Sequence, residues 1–242
     1  MCISYSVIIP AYNEEAWLPS TLEALQQAMN LSGMAGEIIV VDNNSHDRTS
    51  AVAVEHGATV VFEPINQISK ARNTGAGAAK GRYLIFLDAD TLISSEVLNT
   101  ALNNLSSGRC CGGGGRVVFE DNSAPFAKFA AGFWNWFSIQ FRLAAGCFLY
   151  CLKEGFDAVN GFSQNVYASE EIWFSWQLRK WGKQHDMAFR IIHDPPLRTS
   201  GRKLQWYSLF QLIALSVIFC LFPFAVRFRA LCSFWNDRPE TR

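Results

Sequence analysis

Two carboxylates one residue apart, Asp88 and Asp90, follow the apolar run Tyr83-Leu84-Ile85-Phe86-Leu87. The run predicts a buried strand, and unpaired charge at the end of a buried strand is costly. Something cationic is therefore expected to meet these acids. At the end of an extended segment, residues i and i+2 point to one side. Two acids held that way repel and raise one another's pKa unless a cation is bound. Hard oxygen ligands suit Mg²⁺ or Mn²⁺, which take few protein ligands and complete their shell with phosphate and water. The same pair also reads as a helix cap ahead of Ser94-Ser95-Glu96. The two residues alone leave both readings open.

The elements that must position them alternate. Residues 4–9 read as a short buried strand stopped by Pro10. Asn13-Glu14-Glu15 opens an amphipathic helix with Trp17, Leu18, Leu22 and Leu25 on one face. Strands are expected at 37–41, ending in Asp42, at 58–62 and at 82–87. Helices are expected at about 48–56, 67–79 and 96–105. Short buried strands with helical crossovers imply an α/β fold with a parallel sheet covered on both faces. Tyr12-Asn13, Asp42-Asn43 and Asp88-Ala89-Asp90 sit just past strand ends, where open α/β sheets bind ligands. The second half is less regular. A glycine-rich strand is expected at 111–119, an aromatic helix at 124–145, a strand at 147–152, a helix at 169–181 and a strand at 186–192.

Composition narrows the class. The 242 residues carry a formal net charge of zero, which argues against a nucleic-acid binder. Half are hydrophobic, enough for a large core. The seven cysteines include no Cys-x-x-Cys pair, and neither Cys110-Cys111 nor Cys147 with Cys151 is spaced like a zinc site. They read as reduced, packed cysteines of a cytoplasmic protein. The N-terminus lacks a signal-peptide pattern. Between Arg202-Lys203 and Arg227 run 23 uncharged residues, 204–226. That length meets the requirement of about 20 for a membrane span. Gln205, Ser208, Gln211, Ser216 and Pro223 dilute it, so a spanning helix, an interfacial or re-entrant helix, and a docking or oligomer helix all remain open. The aromatic cluster Phe133-Trp134-Asn135-Trp136-Phe137 is assigned to the same membrane-facing surface.

Four segments occur in order: Val7-Ile8-Ile9-Pro10-Ala11-Tyr12-Asn13-Glu14-Glu15, Glu37-Ile38-Ile39-Val40-Val41-Asp42-Asn43-Asn44-Ser45, Lys70-Ala71-Arg72-Asn73-Thr74-Gly75 and Asp88-Ala89-Asp90. Together, over residues 4 to 182, they strongly resemble the family 2 glycosyltransferases. The resemblance implies a GT-A fold: a Rossmann-like, mostly parallel sheet with helices on both faces. It implies one domain over 1–200, with a nucleotide-binding half (1–105) and an acceptor-binding half (106–200), followed by a membrane-associating helical segment at 204–230. Pro10, Ala11 and Tyr12 would line the base pocket, with Glu14 near the ribose. Asp42 can accept the imide N–H of a uracil. Lys70 and Arg72 would meet the diphosphate, or form a solvated basic helix face. Asp88 would contact ribose or metal, and Asp90 would ligate Mn²⁺ or Mg²⁺.

In the acceptor half, Glu170-Glu171 resembles the family's Glu-Asp pair. Glu171 replaces the usual Asp and is the expected general base, with Glu170 as runner-up; a charged helix N-terminus is the bland alternative. Phe162 and the segment 145–148 resemble the acceptor side, where an aromatic borders the sugar. Gly112 to Gly115 would let backbone approach the donor sugar. His193, after a predicted strand, would complete the metal site. Thr199-Ser200-Gly201-Arg202-Lys203 reads as a basic turn for diphosphate or lipid headgroups. The expected activity is inverting transfer from a nucleoside-diphosphate sugar, UDP by family habit, to a glycan, lipid-linked or small-molecule acceptor. It is placed in the cytoplasm or at the cytoplasmic face of the inner membrane. The alternative is a non-catalytic nucleotide-sugar-binding or membrane scaffold protein of the same fold.

Overall fold

The computed structural model describes residues 3–119, 144, 146–200, 227 and 232. The expected helix at 124–145 and the hydrophobic segment 204–226 lie outside the described residues, apart from Ala144. Among the described residues no helix is long and apolar enough to cross a membrane.

The elements run β1 (Tyr5–Ala11), α1 (Leu18–Asn30), β2 (Gly36–Asp42), α2 (Thr49–Glu55), β3 (Thr59–Phe62), α3 (Ile68–Ala78), β4 (Tyr83–Leu87), β5 (Thr91–Leu92), α4 (Ser95–Ser106), β6 (Cys110–Phe119), β7 (Phe148–Leu152), α5 (Lys153–Ala158), α6 (Glu170–Gln184) and β8 (Ala188–Thr199). One eight-stranded sheet orders them β3-β2-β1-β4-β7-β6-β8-β5. Strands β3, β2, β1 and β4 are parallel, and β7 turns antiparallel against β4. The chain passes from β1 outward to β3 and returns to β4 on the other side. The β1/β4 boundary is therefore the switch point where α/β sheets open a crevice.

Alternation along the strands feeds two cores. Val7, Ile9 and Ala11 pack with Leu18, Leu22, Leu25, Val97 and Leu98 on one face. Ile8, Ile39 and Val41 pack with Ala71, Phe156, Phe162, Phe174 and Leu178 on the other. Small residues let α3 lie very close to the sheet. A Cβ added at Gly75 would come within 2.4 Å of Ile8 Cγ2 and 2.8 Å of Val41 Cγ2.

Two boundaries differ from the sequence expectation. Helix α1 starts at Leu18 rather than at Asn13. The amides of Asn13, Glu14 and Glu15 donate to Ser45 Oγ, Thr49 Oγ1 and Asp47 Oδ2 instead of entering a helix. Asn13 takes φ 53°, a conformation Asn tolerates. Strand β8 runs on through Pro195-Pro196 to Thr199 because the prolines are looped out. Its register on β6 jumps from Gly115↔Ile192 to Val117↔Leu197, five residues against two. A proline, having no N–H to give the ladder, is tolerated in such a bulge.

The glycine run is buried sheet rather than a donor-facing loop. A Cβ at Gly113 would lie 1.8 Å from the Arg190 carbonyl oxygen, and one at Gly114 would lie 2.8 Å from Ala144.

Two glycines two residues apart in α3 should respond with opposite signs. Gly75→Ala should lower stability by about 1–3 kcal/mol through overpacking. Gly77→Ala, exposed and with nothing within 4 Å of its added Cβ, should raise it by about 0.5–1 kcal/mol through helix propensity. Urea unfolding midpoints of the two variants check this.

Candidate functional site

The Asp-x-Asp turn is fixed by its backbone. The Asp88 amide donates to the Cys147 carbonyl at 3.0 Å, extending the β4–β7 ladder, and the Asp88 carbonyl accepts from Thr91 at 3.1 Å. The Thr21 hydroxyl of α1 donates to the Ala89 carbonyl at 2.8 Å. The Ser200 amide, just past β8, donates to the Asp90 carbonyl at 3.2 Å. Ala89 is buried, and the two acids on either side of it are half-buried at the carboxyl edge of the sheet.

Arg72 reaches this edge from α3. Its guanidinium is 2% exposed. It donates to Glu170 Oε1 at 2.6 Å, Asp88 Oδ1 at 3.1 Å and the Gly146 carbonyl at 2.6 Å. The Phe162 ring stacks beneath it at 5.3 Å. Burial alone would lower its pKa, but Glu170, Asp88 and Glu171 more than offset this and hold it above its usual value.

Lys70, two residues earlier on the same helix, points away; residues at i and i+2 of a helix do not share a face. It is half-buried and makes no ion pair among the described residues. The expected pairing of Lys70 and Arg72 on a diphosphate is thus corrected. Arg72 is committed inside the protein, and Lys70 lies on another face of α3. Phe162 is likewise spent on Arg72 and on Phe86 and Phe174, not on bordering a sugar.

Two of the Arg72 partners, Gly146 and Glu170, arrive from the second half of the chain. Asn73 exchanges two hydrogen bonds with the Phe162 backbone, both 2.9 Å. Gln67 Nε2 donates to the carbonyls of Gln164 and Val166 at 2.9 and 3.1 Å. These staples tie α3 to the loop that enters α6 through Ser169, at φ 60°. Glu170 and Glu171 follow in the first turn of α6, where the helix dipole favours acids. Glu170 is 4% exposed and held by Arg72. The Glu171 carboxyl lies against Gly146, where an added Cβ would be 3.5 Å from its Cδ. Glu171 keeps some exposure, yet protein encloses its carboxyl. Burial, together with the Glu170 charge and despite Arg72, pushes its pKa up to about 8.

The nucleotide side of the edge is built from interlocked loops. Asp42 Oδ1 accepts from the Ser45 amide at 2.9 Å, and Oδ2 accepts from the Ser50 hydroxyl. Each oxygen keeps a second lone pair for a ligand N–H. Pro10, Ala11 and Tyr12 end β1 beside it, and Glu14 is 7% exposed at the α1 entrance. These positions surround the β1/β4 switch point.

His193 does not join them. It is exposed in the β8 bulge, separated from the Ser200 contact to Asp90 by the stretch from Leu197 onward, roughly 10 Å of extended strand. A metal ligand must approach to about 2 Å.

Four carboxylates (Asp88, Asp90, Glu170 and Glu171) meet one guanidinium at this edge, and such an excess of negative charge suits a divalent cation. Among the described residues no group of three or more His, Cys, Asp or Glu could hold a metal by itself. The donors therefore fit a hard ion that takes one or two carboxylates and draws the rest of its shell from phosphate and water. Burial, with Asp88 and Asp90 adding, raises the Cys147 thiol pKa well above the usual range.

Residues 6–150 match the model of glycosyl transferase family 2. The chain belongs to this family. Over 103 residues it is 35% identical to an uncharacterized glycosyltransferase of Mycobacterium bovis, 43% of this chain and 44% of that protein. It is 40% identical over 100 residues to the 4,4'-diaponeurosporenoate glycosyltransferase of Staphylococcus haemolyticus, covering 38% and 26%. It is 35% identical over 101 residues to the dolichyl-phosphate beta-glucosyltransferase of Drosophila melanogaster, covering 36% and 31%. The chain spans less than half the length of these relatives. Among solved structures, S. aureus TarS 1-349 with UDP-GlcNAc superposes with a TM-score of 0.63 at 18% identity, over 89% of this chain and 67% of that one. Glucosyl-3-phosphoglycerate synthase of Mycobacterium tuberculosis, in complex with Mn²⁺, UDP and phosphoglyceric acid, gives 0.63 at 17% identity, over 99% and 80%. The GT-A architecture expected from the resemblance is the one observed.

Sequence reasoning missed several positioning groups. Thr21 carried a signal: a hydroxyl on the apolar stripe of α1, between Leu18 and Leu22, needs a partner. Asn73 lay inside a recognised motif. The Gly146 carbonyl and the Ser200 amide are backbone groups and leave no trace in residue type.

Two measurements follow from the ion-pair geometry. Arg72→Met strands buried Glu170 and should cost about 3–5 kcal/mol, with part recovered in Arg72→Met/Glu170→Gln. Denaturant titration of both variants checks it. The second concerns pH. The raised Glu171 pKa means that the metal-free folded protein holds a proton the unfolded chain releases. Its contribution to stability is complete below the ordinary carboxyl value of 4.5 and is lost as pH rises through about 8. Glu171→Gln should remove that fall, seen by comparing melting temperatures at about pH 5 and about pH 9.

Proposed function

We propose that this chain is an inverting glycosyltransferase that moves a sugar from a nucleoside-diphosphate sugar, a UDP-sugar by preference, to an acceptor hydroxyl. The observation that carries the reading is the division of labour between adjacent glutamates. Arg72 holds Glu170 as a committed carboxylate. Glu171, beside it at the start of α6, has a pKa displaced toward the range where a general base works, which supports this reading. Family membership and the UDP and UDP-GlcNAc complexes of structural neighbours support the donor class.

Each residue has a task. Asp42, Tyr12 and the Pro10-Ala11 strand end receive the base, and Glu14 lies toward the ribose. Asp88 and Asp90 would hold Mg²⁺ or Mn²⁺, the ions seen with UDP in the mycobacterial synthase. Such an ion supplies charge neutralisation for the departing diphosphate. Glu171 accepts the proton of the acceptor hydroxyl as that oxygen attacks the anomeric carbon from the face opposite the diphosphate, which inverts the configuration. The Glu171 carboxyl lies beside Gly146, where an added Cβ would be 3.5 Å from its Cδ. Acceptor classes compatible with this edge are a glycan, a small molecule or a lipid-linked group. The site of action is the cytoplasm or the cytoplasmic membrane face. Two relatives are named for dolichyl phosphate and 4,4'-diaponeurosporenoate.

Glu171→Gln should lower kcat by about 10²–10⁴-fold with donor affinity nearly unchanged. Asp90→Ala should lose metal-stimulated donor turnover while keeping the wild-type melting temperature. Donor turnover with and without Mn²⁺, and donor binding by calorimetry, check both. Wild-type-like turnover in Glu171→Gln would overturn its role as base and leave it a helix-start charge, whereas no donor turnover by the wild-type chain would point to a nucleotide-sugar-binding protein.

A further inference from the structure

We infer that the outward face of α6 docks the protein onto an anionic lipid bilayer. Helix α6 buries Phe174, Ser175, Leu178 and Gly182 along one side. At about 100° per residue, Trp173, Trp176, Lys180 and Lys183 fall on the opposite side. Trp173 is 45% and Trp176 57% exposed, two of the few large apolar side chains left in solvent. Lys180 and Lys183 are exposed beside them. No acid lies on this face between Glu171 and the helix end at Gln184. Trp176, Lys180 and Lys183 also wall a shallow groove of about 580 Å³ floored by Met187 and Phe189, with Asp186 its one acidic neighbour.

The pairing of residue types selects the partner. Tryptophan rings settle at the headgroup level of a bilayer, where one edge is apolar and the other wet. Lysines extend their stems along apolar surface and place the ammonium at lipid phosphates. A protein partner is the weaker match, since interface cores are depleted in lysine and favour arginine. A nucleic acid is excluded by the zero net charge.

The docking stands on the helix face alone and does not depend on the proposed transferase reading. Glu171, two residues before Trp173, lies on the opposite, inward side of the helix against Gly146.

The test is sedimentation of the full chain with phosphatidylcholine vesicles, with and without phosphatidylglycerol. The variants are Lys180→Gln/Lys183→Gln and Trp173→Ser/Trp176→Ser, with Leu31→Ser, an exposed apolar change on another face, as control. Residues 204–226 are identical in all of them, so their own affinity for lipid cancels. Each lysine removed should weaken binding to anionic vesicles about fivefold. The tryptophan pair should weaken binding to both vesicle types, and Leu31→Ser should leave it unchanged. Binding by the lysine pair equal to wild type, or wild-type binding indifferent to phosphatidylglycerol, would overturn the proposal. Calorimetric UDP binding on the same preparations reports on the transferase reading separately, so the two can fail independently.

Discussion

The site depends on where the charge of Arg72 goes. A guanidinium that is 2% exposed must have its donors satisfied locally. Its two terminal nitrogens draw Glu170 from α6, Asp88 from the end of β4 and the Gly146 carbonyl from the approach to β7 into one cluster, while Nε is left unpaired. These groups come from both sides of the switch between parallel and antiparallel strands. The Arg72 cluster therefore does for the nucleotide and acceptor halves what a backbone ladder does within either of them. Around it, Asn73 and Gln67 hold the loop that delivers α6.

The same cluster sets the electrostatics. One guanidinium among four carboxylates cannot neutralise them all. It satisfies Glu170 and shares itself with Asp88, and the shortfall falls on Glu171, enclosed by protein and close to its neighbour's charge. An edge left short of positive charge is suited to a divalent cation and a diphosphate. It is also suited to a carboxyl that can pick up a proton.

Much of this could be read from the residues. The strands ending at Ala11, Asp42 and Leu87 announced themselves as apolar runs that stop in polar groups, and the parallel sheet followed. Asp42, Asp88, Asp90 and Glu171 stand at the strand ends and helix start that the pattern of residues implies. What escaped depended on contacts between distant segments. Asn13 to Glu15 looked like a helix start because their amides have helical neighbours in sequence. In the fold those amides are taken by Ser45, Asp47 and Thr49. Pro195-Pro196 looked like a strand end, but the strand resumes beyond a bulge. Arg72 looked like a ligand cation, whereas its partner Glu170 lies 98 residues on. Its divergence from Lys70 was nevertheless legible from helical geometry, and His193 was drawn in by family analogy alone.

The central claim is that Arg72 commits Glu170 and leaves Glu171 as the proton-accepting carboxyl. The most direct measurement is the carboxyl titration of ¹³C-labelled glutamates by NMR in the metal-free protein, with Glu171→Gln to assign the resonance. The account predicts one glutamate titrating near 8, absent from Glu171→Gln. A Glu171 resonance titrating in the ordinary carboxyl range, near 4.5, would contradict it.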